Sequence, residues 1–429
     1  MHELFGLSDG IDLEEYVIAT YYVGLPQELS FDILRYAAAI AVEQSTGTWV
    51  AVPEETPEVR RKHVAKVVGI YEAPSFEYEA PLEKHRNYIL QIAFPHKNFG
   101  PQIPMLLSTV IGNISMAGRL KLLDLNFPLK FLKGFKGPKF GISGVRRILG
   151  VEKRPLLNNM IKPNTGISPK VGAKLFYEAA LGGADIVKDD ELLANPEFSR
   201  IEDRVTLFME ACDRADSEKK EKTLYTVNIT DEVDKMLENA ERAQEHGANA
   251  LMINYLTCGI SALRVLSEDE SVKVPILAHM DFAGAIYSSP YSGMSSSLIL
   301  AKLPRLCGAD IVVFPAPYGK APFLKERYLL TGLTLQLSFK HIKRGFPMPS
   351  GGINPSMVPQ VIKDFGLDCV IGSGGGIHAH PLGATAGAKA FRQAIDATLK
   401  EIPLERAAEE NEELKVALKA WKKFEFESF

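Results

Sequence analysis

From Leu156 onward the chain repeats one pattern eight times: a short apolar run, then a segment of helical length. The runs are LLNNMIKP, ADIVKDDE, TLYTVNIT, ALMINY, VPILAHM, ADIVVFP, FPMPSGG and DCVIGSGGG. Stretches between them, such as EVDKMLENAERAQEHGAN and GAKAFRQAIDATLK, space their apolar residues as an amphipathic helix does. Strands that are apolar throughout are buried on both faces, and joining such strands in parallel takes a helical crossover each time. Eight strand–helix units predict an α/β fold, a (β/α)8 TIM barrel over residues 141–400.

The first 140 residues read differently. YVIATYYVGL alternates like a strand, SFDILRYAAAIAVEQS has an N-cap serine and helical spacing, and HVAKVVGIYEA and YILQIAFP are further strands. This predicts a separate α+β domain over 1–140, with NFPLKFLKGFKGPKFGISG as an irregular passage to the barrel and residues 401–429 as an appended surface helix. A formal charge of −4 and scattered basic residues argue against nucleic acid or an anionic membrane as partner. No apolar run reaches the ~20 residues needed to span a bilayer, and MHELFGLSDG does not read as a secretory signal, so a cytoplasmic location is expected. Cys212, Cys258, Cys307 and Cys369 lie far apart and are expected to be buried free thiols.

Polar residues gather at the C-terminal ends of the apolar runs: Lys162, Lys188 with Asp190 and Glu191, Asn228, Asn254 and His279. Lys320 follows the sixth run, Ser350-Gly351-Gly352 the seventh and Gly374-Gly375-Gly376 the eighth. A barrel of this kind carries its chemistry at that mouth, with phosphate usually held by the loops after strands seven and eight. Asp190 and Glu191 are hard oxygen donors suited to Mg²⁺. Lys188 shares their strand end, and its amine becomes a third anionic oxygen ligand if it captures CO₂ as a carbamate; the plain alternative is a salt-bridged Lys–Asp cluster at the rim. Lys162 reads as an acid/base or a solvent-facing lysine, and His279 as a substrate-bonding or a core histidine. His378 and His380 have the look of a zinc pair but no third ligand.

EQSTGTW (43–49), LLSTVIGN (106–113), MIKPNTGIS (160–168), GGADIVKDDE (182–191), PSGGI (349–353) and GSGGGIHAHPLG (372–383) resemble the large subunits of ribulose-bisphosphate carboxylase (RuBisCO). The resemblance implies a ferredoxin-like N-terminal domain before the barrel. It implies Mg²⁺ bound through carbamylated Lys188, Asp190 and Glu191, with Lys162 as acid/base, His279 in the site and Lys320 on the mobile loop after strand six. Asn164, Ser350, Gly351, Gly352, Gly374 and Gly375 would contact substrate or phosphate. Glu43, Thr48, Trp49 and Asn113 would reach the neighbouring subunit's site, making a homodimer with shared sites around a small phosphorylated sugar-type substrate.

Departures from the carboxylase pattern carry as much information. Asn164 replaces the second lysine of KPK, Met280 replaces the arginine that grips the distal phosphate, strand six ends in the apolar VVFPAP, and the loop reads GKAPF. A bisphosphate needs polar groups at both ends, so the chain resembles the RuBisCO-like proteins that do not fix CO₂. The activity expected first is decarboxylation of a 3-oxo sugar-acid phosphate of the 3-oxo-isoapionate-4-phosphate type, for which Lys320 would face the carboxylate. The alternative is a 2,3-diketo-5-methylthiopentyl-1-phosphate enolase, whose pattern places the proton-abstracting lysine where this chain has Asn113 and lacks Lys320. Carboxylation and a non-catalytic binding role stand behind both.

Overall fold

A computed structural model describes residues 2–26, 32–48, 50, 52–78 and 85–421. The chain divides into two compact units, 1–135 with 282–299, and 136–281 with 300–429.

In the first unit, β1 (Tyr16–Pro26), β2 (Lys66–Glu72), β3 (His85–Pro95) and β4 (Leu120–Asn126) form an antiparallel sheet in the order β4-β1-β3-β2. Helices Ile33–Glu43 and Ile103–Ile111 follow β1 and β3, which completes the ferredoxin-like β-α-β-β-α-β arrangement. Alternation in β1 buries Val17, Ala19, Tyr21 and Val23 on one face. The expected cap Ser30 lies outside the described residues; Asp32 caps the helix, its carboxylate accepting from the Leu34 amide. β4 went unforeseen because it sits in a short run beside the glycine-rich passage.

All eight barrel strands form: β5 (Leu156–Met160), β6 (Ile186–Lys188), β7 (Leu224–Asn228), β8 (Ala250–Ile253), β9 (Ile276–Ala278), then, past β10 (Gly293–Met294), β11 (Ile311–Pro315), β12 (Phe346–Ser350) and β13 (Val370–Ser373). β10 belongs to the first unit, where it pairs parallel with β4. The barrel order is β12-β11-β9-β8-β7-β6-β5-β13, each neighbouring pair parallel. Gly372 lets β13 lie against β12, since a Cβ there would stand 3.0 Å from the Pro349 carbonyl oxygen. The crossover helix Pro169–Leu181 starts where the sequence supplies a cap: the Ser168 hydroxyl accepts from the Val171 amide, and Pro169 takes the first turn.

Inward positions fill the barrel with Leu156, Ile186, Leu224, Met252, Leu277, Val313, Met348 and Val370. Ile142, Val145 and Leu149 of the helix Gly141–Leu149 join the same cluster, ahead of β5 in the chain. The expected single C-terminal helix is broken at Asn411 into Leu404–Glu410 and Glu412–Trp421. Cys212, Cys307 and Cys369 are buried, whereas Cys258 is only half-buried. Among the described residues no helix is long and apolar enough to cross a membrane.

Candidate active site

Strand parity assembles the mouth of the barrel. Side chains alternate along a strand, so residues two beyond an inward apolar position also point inward. Ile186 thus brings Lys188 inward, Met252 brings Asn254, Leu277 brings His279 and Met348 brings Ser350, each at the C-terminal end of its strand and each buried.

Lys188 Nζ is fully buried, donating to the Asp189 carbonyl at 2.6 Å and lying 3.4 Å from Glu191 Oε2. Burial pulls its pKa down against the opposing pull of Glu191 and Asp190. Lys162, on the chain just past β5, forms an ion pair with Asp190. Pairing of Met160 with Lys188 sets those two strand ends side by side. His279 Nε2 lies 3.5 Å from Glu191 Oε2, and its Nδ1 is buried without a hydrogen-bond partner. Burial, then the charge of Lys188, holds His279 down at about 3, so it is a neutral imidazole. Burial alone would raise Glu191, but the charge of Lys188 outweighs it and brings the carboxyl to about 2. Lys162, Lys188, Asp190, Glu191 and His279 therefore meet in one cluster.

Two asparagines hold the acid-bearing turn by its backbone. Asn228 Nδ2 donates to the Asp190 and Glu191 carbonyls, both at 3.2 Å, and Asn254 Nδ2 donates to the Glu191 carbonyl at 2.9 Å. Asp189 points the other way. Its carboxylate accepts from Tyr225 OH at 2.8 Å and the Asn228 amide at 3.0 Å, and lies 3.2 Å from Arg204 Nη2. Sequence reading missed this anchor, although parity was the available signal: a residue between Lys188 and Asp190 must face outward, toward the helices.

The glycine turns lie at the ends of β12 and β13. Gly351 and Gly352 hold φ of +96° and +97°, and a Cβ at Gly351 or Gly375 would meet nothing within 4 Å, so the backbone is open there. Gly374 has no such room, with Lys162 Cγ 3.2 Å from where its Cβ would be. The loop after β11 rests on the seventh-strand turn: Lys320 N donates to the Gly351 carbonyl at 2.9 Å, and a Cβ on Gly319 would overlap that carbonyl. Asn164 is buried, its Nδ2 without a partner among the described residues. Glu43, Thr48 and Asn113 lie in the first unit; Glu43 keeps a buried Oε2 with no hydrogen-bond partner among the described residues, Thr48 Oγ1 donates to the Val50 carbonyl, and Asn113 is exposed. Trp49 lies outside the described residues. His378 Nε2 faces Asn159 Oδ1 and His380 Nε2 the Glu413 carbonyl, so the two imidazoles serve different neighbours.

The donor set fits Mg²⁺ once Lys188 is counted. Among the described residues no group of three or more His, Cys, Asp or Glu side chains could hold a metal. Asp190 and Glu191 supply two anionic groups, and a carbamate on the buried amine beside them would supply the third.

Comparison with known proteins finds matches over nearly the whole chain. The profile of the ribulose bisphosphate carboxylase large chain catalytic domain matches residues 141–421, and that of its N-terminal domain matches residues 11–131. A ribulose bisphosphate carboxylase-like protein of Archaeoglobus fulgidus is 62% identical over 408 residues, 94% of this chain and 93% of that one. A 2,3-diketo-5-methylthiopentyl-1-phosphate enolase of Geobacillus thermodenitrificans is 41% identical over 416 residues, covering 96% and 99%. Among solved structures, a RuBisCO-like protein (MtnW) of Alicyclobacillus acidocaldarius superposes with a TM-score of 0.87 at 37% identity, covering 95% of this chain and 100% of that one.

Proposed function

Since the chain belongs to the ribulose bisphosphate carboxylase large-chain family, as one of its RuBisCO-like members, we propose that it is a Mg²⁺-dependent enolase acting on a singly phosphorylated diketone. The substrate type is 2,3-diketo-5-methylthiopentyl-1-phosphate. A relative with a named activity carries this one, which moves it ahead of the decarboxylation expected from sequence. The observation that carries the reading is the buried amine of Lys188 set between two carboxylates and a neutral imidazole at the barrel mouth.

Lys188 has a lowered pKa, which favours the uncharged amine that adds CO₂; an N–C bond forms and a proton leaves. Carbamylated Lys188, Asp190 and Glu191 would hold Mg²⁺, which when bound stabilises negative charge developing on a carbonyl oxygen. Lys162, paired with Asp190 at the rim as an ammonium, would in its uncharged form take the proton from the carbon next to the carbonyl. The electron pair of that C–H bond moves onto oxygen, and the oxygen takes up a proton, so the product is an isomer. General acid–base catalysis of this kind contributes roughly 10²–10⁴-fold. Neutral His279, with Nδ1 unpaired, serves as a hydrogen-bonding group for a substrate oxygen, as does the unpaired Asn164 amide. Ser350, the open backbone of Gly351 and Gly375, and the more closely packed Gly352 and Gly374 take the phosphate. Glu43, Thr48, Trp49 and Asn113 complete the site from the partner protomer of a homodimer.

Lys320 supports a second reading. Its loop is docked on the Gly351 turn, where an ammonium suits a substrate carboxylate, as decarboxylation of a 3-oxo sugar-acid phosphate would require. Protein activated with Mg²⁺ and bicarbonate, offered each substrate in turn, separates the two. Enol absorbance from the diketone without CO₂ supports the enolase, CO₂ from the sugar acid alone replaces it with the decarboxylase, and silence with both overturns the catalytic assignment.

A further inference from the structure

Three well-enclosed guanidinium groups in this chain come with an acid. Arg154 pairs with Asp185 at 2.7 Å, Arg204 with Asp189 at 3.2 Å and Arg392 with Glu221 at 2.8 Å. Arg305, as enclosed as Arg204 at 1% exposure, has no carboxylate partner among the described residues. Its Nε donates to the Lys343 carbonyl, Nη1 to those of Thr334 and Leu337, and Nη2 to that of Ile342, at 2.8–3.1 Å. These bonds use four of its five N–H groups and satisfy its polarity, but carbonyls carry no net charge. The C-terminal end of the helix Lys325–Gln336 offsets roughly half an elementary charge, and the remainder stands alone. Burial, then the charge of neighbouring Arg344, lowers its pKa to about 10, where Arg204, with its aspartate, is raised.

In place of an acid, Arg305 has a cleft. It encloses about 590 Å³ and is lined by Ser143, Ser338, Lys340, Lys343 and Arg344 as well, with no Asp or Glu in its wall. Residues 336–344 precede β12, whereas Ser350 ends it and Gly351 and Gly352 follow, so the cleft lies at the end of the barrel opposite the proposed active site. Lys340 is held at a φ of +51°, in a tight turn closed by pairing of Phe339 with Ile342, which keeps the lysine at the cleft. The wall thus offers the charge of a buried guanidinium, the exposed cations Lys340, Lys343 and Arg344, the last also 3.5 Å from Asp368 Oδ2, and two hydroxyls, a cation-rich set suited to phosphate oxygens.

We propose that this cleft binds a phosphate dianion, free or as the monoester of a small molecule, at a site independent of the barrel mouth. The volume exceeds what one inorganic ion fills and falls in the range of small-ligand sites, roughly 300–1,000 Å³.

Equilibrium dialysis of the whole protein at fixed ionic strength, with radiolabelled inorganic phosphate and in parallel with glycerol 3-phosphate, tests this. The variant Lys340→Gln/Arg344→Gln changes two exposed side chains and spares Arg305, whose removal would free four carbonyls. At least one of the two probes should bind this variant tenfold or more weakly than the original, and the tighter probe shows which form the cleft takes. Any binding at the mouth persists in the variant as a separate class, so failure of the two sites is distinguishable. Coincident isotherms for variant and original with both probes overturn the proposal.

Discussion

The Asp189–Arg204 pair gives the sharpest energetic test, because both groups are almost fully excluded from water. In Arg204→Met the Asp189 carboxylate keeps Tyr225 OH and the Asn228 amide as donors but loses its counter-charge. Breaking a buried pair from one side costs about 3–5 kcal/mol. Carbonyls of Ser199 and Ala194 lose their Arg204 donors as well. At roughly 2–4 °C per kcal/mol for a large domain, Tm should fall by roughly 10 °C. Asp189→Asn should be comparably destabilised, for then the guanidinium is the stranded charge. The double variant Asp189→Asn/Arg204→Met strands neither, and should recover at least half of the single-variant loss. Urea unfolding followed by circular dichroism gives the four free energies of the cycle, with an expected coupling of about 2 kcal/mol or more. A single-variant cost under about 1 kcal/mol, or a double variant no more stable than Arg204→Met, would refute the claim that this pair locks the end of β6.

Three further outcomes follow from the site. Lys188→Ala should abolish the rise in Tm that Mg²⁺ with bicarbonate gives the unaltered protein; an unchanged rise would sink the carbamate assignment. Tyr318, in the loop after β11, donates its hydroxyl to Asp364, so Tyr318→Phe should speed tryptic cleavage after Lys320 by several-fold, and identical cleavage rates would show that this bond does not hold the loop. His378 is brought down to about 4 by burial and then by the charge of Lys162, below the roughly 6.5 of an unfolded histidine. The unfolded chain then binds the extra proton, so this contribution to stability is present above pH ~6.5 and is lost as pH falls toward ~4; His378→Gln should flatten that slope in denaturant titrations, and an unaltered slope would count against it.

Strand identity was legible because most barrel strands are short apolar runs, and the polar termini of several fall on inward parity, although the sixth ends in the apolar VVFPAP. Lys188, Asn228, Asn254 and His279 could therefore be placed at one mouth from spacing alone. What could not be read was pairing across the fold. Arg204 follows Asp189 by a loop and a turn of helix, and nothing local marks it as that carboxylate's partner. The same holds for Arg305, whose lack of an acid shows only once the loop before β12 is folded around it. Cap assignment slipped by two residues, since Ser30 and Asp32 both precede the same apolar run and only backbone geometry chooses between them. Choice of reaction was the least legible. Lys320 and Asn113 argue for one chemistry in the local pattern, while similarity along nearly the whole chain argues for another.

The short strand β10 has a consequence for how the chain is made. Its residues, Gly293 and Met294, cover the β4 margin of a sheet whose other strands end by Asn126. On a ribosome adding about 5–20 residues per second, that margin waits roughly 10–30 s for its neighbour. Throughout that interval the newborn N-terminal unit offers unpaired backbone to any passing strand, and much of the barrel must be synthesised before the gap is filled.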